Sequence, residues 1–159
     1  MRKIKVIRQI ELNQITVNNA LGVLAEKLKD MPVKLVFLFG SHARKLRNGG
    51  KINSFSDVDI GVLLEEESLE YRLNVMLDLI GIFTEVLNRE DIDLTILNDA
   101  GVRMRYNMLE EGILLYKRDI QDLKDYKYRT RKYFFDIEPK LKQYQDLRVA
   151  KVKERSKDG

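Results

Sequence analysis

Two apolar runs of this chain each begin with a pair of aspartates that a single residue separates. The first pair is Asp57 and Asp59, and the second pair is Asp91 and Asp93. Both runs are short and rich in β-branched residues, which indicates strands. Because side chains alternate along a strand, the two members of each pair point to the same face. The fold must therefore tolerate charged side chains at the start of two strands whose other residues are buried.

A bound metal ion explains this placement better than bare carboxylates do. Like charges held this close repel each other and are costly to desolvate. A divalent cation between Asp57 and Asp59 removes both costs, and hard carboxylate oxygens suit Mg²⁺. If the two strands are neighbours, Asp91 or Asp93 completes a site for two metal ions and in-line attack on phosphorus. The alternative is a solvated strand edge, and Asp91 in particular fits a strand-entry residue that faces water.

A glycine and a serine follow directly after a third apolar run, Val33 to Phe39, which predicts a buried strand. Gly40 lets backbone N–H groups approach a phosphate without a Cβ in the way, and the Ser41 hydroxyl adds a donor. Taken alone, the same dipeptide is a common turn. The pair becomes informative only beside the aspartates.

The segment from 42 to 56 is polar and is predicted to be a loop, with a turn around Gly49. Arg44 and Arg47 are close enough to Ser41 in sequence to pair with phosphate oxygens. A solvated basic loop is the alternative. His42, the one histidine of the chain, is interpreted as a residue at the edge of a pocket.

Periodicity and capping signals place the remaining elements. The predicted order is a helix from Thr16 or Asn18 to Pro32, strands at 33–39 and 57–64, a helix at 69–88, a strand at 91–97, a helix from Asn98 or Asp99 to Glu111, a strand at 113–116 and a helix from Asp119. This order predicts an α/β (α+β) fold, a small mixed β-sheet flanked by helices. The helix at 69–88 is apolar on more than one side, which favours the core over a partner surface. Pro139 is expected to kink or split the last helix.

Residues 1–148 are expected to form one domain, and residues 149–159 a flexible basic tail. The 159 residues include no cysteine and one histidine, which excludes disulfides and histidine-rich metal sites. A net charge of +4 fits a protein that handles polyanions such as nucleotide phosphates, but it is weak evidence for DNA binding. Because no apolar run is long enough to span a membrane and no signal sequence is recognisable, we predict a cytoplasmic protein without a membrane partner.

Together the motifs resemble the minimal nucleotidyltransferases (MNT) of the polymerase β superfamily. The resemblance rests on the Gly-Ser-x-Ala-Arg start at Gly40, the Asp-x-Asp pair at Asp57 and the later Asp93 before an apolar run. It implies a polymerase β-like fold, ATP as substrate and two Mg²⁺ ions. The implied nucleotide-binding residues are Gly40, Ser41 and Arg44, and the implied catalytic and metal-binding residues are Asp57, Asp59 and Asp93. Fifteen residues separate Ser41 from Asp57, more than is usual in small members.

Small members of this family include the antitoxins of HEPN/MNT toxin–antitoxin pairs. The resemblance therefore implies transfer of AMP from ATP onto a tyrosine hydroxyl of a cognate HEPN ribonuclease toxin. A small-molecule nucleotidyltransferase, similar to those that modify aminoglycosides, is one alternative. A catalytically idle antitoxin that acts by binding alone is another. We do not expect nucleic acid as a direct ligand, and a partner surface is open for the helix at 69–88 and for the tyrosine-rich C-terminal segment.

Overall fold

The computed structural model describes residues 13–49, 56–65 and 69–155. Strands and helices alternate along these residues. The elements are α1 (Gln14–Leu28), β1 (Val33–Phe39), α2 (Gly40–Asn48), β2 (Val58–Leu64), α3 (Leu69–Leu87), β3 (Ile92–Ile96), α4 (Val102–Glu111), β4 (Ile113–Lys117) and α5 (Ile120–Arg155). All eight predicted elements are present, and α2 is an addition to them.

The four strands form one mixed sheet in the order β3-β2-β1-β4. Strand β1 pairs antiparallel with β2 on one side and with β4 on the other. Strands β2 and β3 are parallel neighbours, as their aspartate pairs required, and Asp59 lies directly opposite Asp93. The predicted mixed sheet is confirmed.

Each face of the sheet is covered by a different pair of helices. Alternate residues of β2, from Val58 to Leu64, are buried in the larger core, to which α1 and α3 contribute. The opposite face of β1 presents Leu35 and Phe37, which are buried with Leu109 of α4 and other residues of α4 and α5. Because Asp59 is one residue out of phase with Val58, its side chain belongs to the α4 and α5 face.

Helix α3 is less buried than its composition predicts. Its core-facing stripe is Val75, Leu79, Phe83 and Leu87. Leu73 and Leu77 are exposed, so the expectation of burial on more than one side is wrong for that part of the helix. A single apolar stripe along the helix is enough to cover this face of the sheet.

The predicted loop from 42 to 56 is wrong over its first half, where α2 runs to Asn48. Gly40 has a φ of +69°, which turns the chain from β1 straight into the helix without a connecting loop. In this helix His42 and Ala43 are buried, and the polar residues Arg44, Arg47 and Asn48 are exposed. Residues 50–55 lie outside the described part of the chain.

Two helix starts differ from their predicted capping residues. In α1 the cap is Asn13, whose Oδ1 accepts the backbone N–H of Thr16 at 2.8 Å. Helix α4 begins after Gly101 with no side-chain cap. Asn98, expected at that position, instead uses its side-chain amide to bond both the N–H and the carbonyl of Leu64. Its capacity for paired hydrogen bonds is used to fasten the end of β2.

Helix α5 is continuous through Pro139 and reaches Arg155. The expected break at Pro139 is absent. Residues 149–155 are helical, although we expected the basic tail to begin there, and 156–159 lie outside the described residues. Among the helices of the described ranges, none combines the length and the apolar character needed to cross a membrane.

The core of the α1 and α3 face makes a direct test of the fold. We expect Phe83→Ala to lower the free energy of unfolding by about 3–4 kcal/mol, because Phe83 is fully buried and its loss leaves a cavity. Leu77→Ala on the same helix should change it by less than about 0.5 kcal/mol, since Leu77 is 70% exposed. Urea unfolding followed by circular dichroism measures both. Equal effects would contradict the assignment of the two helix faces.

Candidate active site

Three carboxylates meet where β2 and β3 begin. Asp59 and Asp93 are paired residues of the parallel ladder, so their side chains leave the same face of the sheet. Asp57 comes immediately before β2 and precedes Asp59 by two positions. Asp59 is half-buried, and Asp57 and Asp93 are exposed. The alternation inferred from the sequence therefore brings these three side chains to one region.

The carboxylates influence one another electrostatically. Burial raises the pKa of Asp59 above its ordinary value of 3.8, and the negative charges of Asp93 and Asp57 raise it further. His42 and Arg44 act in the opposite direction but do not reverse the shift. The ionised form of Asp59 is thus disfavoured as the site stands, and a nearby positive charge would stabilise it.

The backbone of Gly40 lies against the Asp59 carboxylate. A Cβ added at Gly40 would overlap the carboxylate and lie only 2.9 Å from Asp59 Cγ. The register of β1 and β2 explains this contact, because Phe39 pairs with Asp59 and Gly40 is the next residue. Glycine is required here for its positive φ and for its lack of a side chain.

Helix α2 starts at this contact, with Gly40 and Ser41 in its first turn. The first backbone N–H groups of a helix have no partner within the helix, and the helix dipole makes that end favourable for an anion. The free N–H groups and the carboxylates therefore lie side by side. This arrangement suits a group that carries both phosphate and a bound cation.

A buried hydrogen-bond network positions the chain before Asp57. His42 Nε2 lies 2.9 Å from the carbonyl oxygen of Ser56, and Arg89 Nη2 donates to the same oxygen at 3.2 Å. Arg89 is buried and also binds both carboxylate oxygens of Asp91. His42 is almost fully buried, so its predicted place at the edge of a pocket is wrong. Sequence reasoning missed Arg89, whose one signal is its position two residues before Asp91.

The two aspartates of the second pair have different roles. Hydrogen bonding by Arg89 is the main cause that lowers the pKa of Asp91 below its ordinary value. Asp91 thus serves as the counter-ion of a buried guanidinium, whereas Asp93 is exposed beside Asp59. This difference supports the choice of Asp93 as the third carboxylate.

The basic residues after Ser41 also separate into two groups. Arg47 donates to the carbonyl oxygens of Glu110 and Gly112, at 3.0 Å and 2.8 Å, and so fastens α2 to the α4–β4 turn. Its expected contact with phosphate is not supported. Arg44 is exposed, lies 4.0 Å from Glu111 and lowers the pKa of Asp59 through its charge. The Arg44 side chain is therefore available to a ligand that binds at the carboxylates.

The carboxylates fit Mg²⁺ by their chemistry. Within 13–49, 56–65 and 69–155, the His, Cys, Asp and Glu side chains form no group of three that could hold a metal ion by itself. An open arrangement is consistent with Mg²⁺, which keeps several waters and shares its ligands with substrate phosphates. Burial first, and then the negative charges of Asp93 and Asp57, raise the pKa of Asp59, and a cation bound there would favour its ionised form.

A mixed sheet with a Gly-Ser helix start beside three carboxylates at the beginning of two parallel strands is typical of nucleotidyltransferases. The model of the family described as polymerase beta, nucleotidyltransferase matches residues 23–121. The chain belongs to this family. The match includes every candidate site residue and ends at the second residue of α5.

Solved structures confirm the fold. A chain of the complex of tri-AMPylated Shewanella oneidensis HEPN toxin with MNT antitoxin superimposes with a TM-score of 0.56 and 20% identity, covering 86% of this chain and 98% of that chain. A chain of a toxin–antitoxin complex with AMP-PNP gives a TM-score of 0.59 and 21% identity, with coverages of 84% and 98%. A chain of the MntA–HepT toxin–antitoxin complex gives 0.56 and 20%, with coverages of 86% and 98%. A comparison with curated proteins found no match.

The Gly40 contact can be tested against a second glycine that has a positive φ. Gly49 also has a positive φ, but a Cβ there would meet nothing within 4 Å. We expect Gly40→Ala to weaken Mg²⁺-dependent AMP-PNP binding at least tenfold, because the methyl group displaces Asp59. Gly49→Ala should introduce backbone strain without displacing a neighbouring side chain. Its affinity for AMP-PNP should therefore stay within about twofold of that of the parent chain. AMP-PNP binding is measured by isothermal titration calorimetry. Equal binding by both variants would contradict the assigned contact between Gly40 and Asp59.

The second aspartate pair predicts opposite results for two conservative variants. Asp91→Asn should lower the free energy of unfolding by about 3 kcal/mol, because it leaves the buried guanidinium of Arg89 without its counter-charge. Asp93→Asn should leave stability within about 0.5 kcal/mol and reduce nucleotidyl transfer at least 10²-fold. Urea unfolding and a transfer assay on the same samples separate the two roles.

The Asp91–Arg89 pair also predicts a pH dependence. The pKa of Asp91 is lower in the folded chain than its ordinary value of 3.8. The stabilisation is therefore complete above the ordinary pKa and is lost as the pH falls through the folded pKa. Asp91→Asn should remove this part of the acid sensitivity. An unchanged difference in stability between the parent and the variant from pH 6 to pH 3 would argue against the pair.

Proposed function

We propose that this protein is a Mg²⁺-dependent protein adenylyltransferase that acts as an antitoxin in the cytoplasm. It transfers AMP from ATP onto a tyrosine hydroxyl of a cognate HEPN ribonuclease toxin. The observation that carries the enzymatic part is the contact of Gly40 with Asp59, because it joins an anion-binding helix start to a carboxylate cluster.

The site residues divide the work of binding and chemistry. Gly40 and Ser41 hold the triphosphate through the first N–H groups of α2 and the serine hydroxyl. Arg44 contributes a charge above the same region. Asp57 and Asp59 hold the metal ions, with Asp93 as the third ligand.

The reaction is an in-line displacement at the α-phosphorus of ATP. The acceptor oxygen forms a bond to that phosphorus, the bond to the β-phosphate oxygen breaks, and pyrophosphate leaves. Asp93, whose side chain is exposed, accepts the proton of the acceptor hydroxyl and passes it to solvent. When bound, Mg²⁺ supplies charge neutralisation on the phosphates and lowers the pKa of the acceptor.

The choice of a protein acceptor is supported by the solved complexes of the same fold. One contains a tri-AMPylated HEPN toxin with its MNT antitoxin, and another contains AMP-PNP. The exposed position of Asp93 also suits an acceptor presented by a second protein, because a bulky acceptor needs an open edge. A HEPN-type toxin is therefore the proposed partner.

The test combines labelled nucleotide with the proposed partner. The protein is incubated with [α-³²P]ATP, Mg²⁺ and the HEPN-type protein encoded by the adjacent gene. We expect label on the toxin, a fall of at least 10²-fold in Asp57→Asn and Asp59→Asn, and no change in the exposed α3 variant Asp78→Asn. Label that disappears when the acceptor tyrosine is replaced by phenylalanine identifies the hydroxyl.

Other outcomes would support the alternative functions. Tight toxin binding without label, unchanged in the aspartate variants, would indicate an idle antitoxin that acts by occlusion. Transfer to an aminoglycoside in the absence of any protein acceptor would indicate a small-molecule enzyme. Either result would overturn the proposed protein adenylyltransferase.

A further inference from the structure

Helix α5 is longer than the domain beneath it requires. Its 36 residues extend about 54 Å at the rise of an α-helix. Its first half packs against α4, β1 and β4. Arg103 of α4 reaches along it as far as Glu138 and Gln145. Every residue from 142 to 154 is exposed.

The face of α5 that packs on the domain continues along the helix beyond its buried part. Leu123, Tyr126 and Thr130 are buried at successive spacings of three and four residues. The same spacing continues through half-buried Phe134 and Ile137 and then leads into solvent. We call its continuation the distal stripe, which consists of half-buried Leu141 and the exposed residues Tyr144, Leu147, Arg148, Lys151 and Val152.

Four of the six residues of the distal stripe are apolar, although most of the stripe is exposed to solvent. Tyr144 is 61% exposed and Val152 is 67% exposed. A helical segment of about 15 residues is marginal in water without packing, so tertiary contact is the usual source of its stability. The family match ends at residue 121, so the stripe lies beyond the conserved nucleotidyltransferase unit that the match defines. Both observations indicate a surface that is completed by another molecule.

The charge of the distal part of α5 indicates which kind of partner would bind to the distal stripe. Residues 140–154 contain five basic residues and two acidic ones. Arg148 and Lys151 lie within the distal stripe, Glu154 lies at its edge, and Asp146 lies outside it. Two copies paired along the stripe would bring like charges together, which is unfavourable. An acidic protein surface with an apolar groove matches both properties.

We propose that the distal stripe is the docking surface for the HEPN-type toxin, which would present an apolar groove with an acidic rim. This inference rests on the proposed function, since it assigns a surface to that partner. The distal stripe shares no residue with the candidate active site, so docking there does not itself occupy Asp57, Asp59 or Asp93. The bound toxin then presents its acceptor at a high effective concentration, as a linked second contact does.

The experiment uses the full chain and the purified HEPN-type protein encoded by the adjacent gene. The stripe variant is Tyr144→Asp with Val152→Asp. The matched control is Gln143→Asp with Ala150→Asp, which adds the same charge to exposed positions outside the stripe. Binding is measured by biolayer interferometry, and AMP transfer is measured over a range of toxin concentrations. Circular dichroism checks that both variants keep their helix content.

We expect the stripe variant to weaken toxin binding at least 30-fold and to raise the KM for toxin far more than it lowers kcat. The control should stay within threefold for both quantities, and AMP-PNP binding should be unchanged in both variants. Equal binding by the stripe variant and the control would overturn the docking surface. So would a parent chain that does not bind the toxin, or one that sediments as a dimer only while the stripe is intact.

The outcomes separate this inference from the proposed function. Stripe-dependent binding without AMP transfer would keep the docking surface and overturn the enzymatic proposal. AMP transfer that is insensitive to the stripe would keep the enzyme and overturn the docking surface.

Discussion

The contact between the Gly40 backbone and the Asp59 carboxylate organises the functional part of this protein. It follows from strand register, because Phe39 pairs with Asp59 and the chain must turn immediately afterwards. The positive φ of Gly40 makes that turn and starts α2 at the same point. As a result, the anion-binding end of a helix and a carboxylate of the sheet occupy adjacent positions without an intervening loop. A longer connection would hold the helix end and the carboxylate apart. Neither group alone would then be specific for a ligand that carries both a phosphate and a cation.

The remaining structure compensates for the charges that this contact concentrates. Asp59 is half-buried beside Asp93 and Asp57, and its raised pKa reflects an arrangement that is unfavourable for the chain alone. The neighbouring pair of Asp91 and Arg89 is satisfied internally and holds the Ser56 carbonyl together with His42. Asp91, which comes just before β3, thus contributes to stability, and Asp93 of β3 remains open for chemistry. Active sites commonly combine local instability with a rigid support in this way.

Sequence reasoning succeeded where one side-chain pattern determines one geometry. Alternation fixed the shared face of the aspartates, and the apolar runs gave the strands within a few residues. It failed where polarity has two explanations. Helix α2 is polar, and a polar segment can be a helix as well as a loop. Residues 149–155 mix lysines with small apolar residues, which likewise does not distinguish the end of a helix from a tail. The roles of His42 and Arg89 depend on contacts across the sheet, which no local pattern encodes.

The two halves of α5 face different constraints. Leu123 and Tyr126 are part of the core on the α4 face, so substitution there would disturb the same packing that supports Met108 against Gly61 of β2. Beyond Ile137 the helix side chains are mostly exposed, and changes there need not reach the catalytic strands. A partner surface placed on the distal part can therefore diverge with its partner while the carboxylate cluster stays unchanged. Pro139, which removes one helical hydrogen bond, lies at the boundary between these two regions.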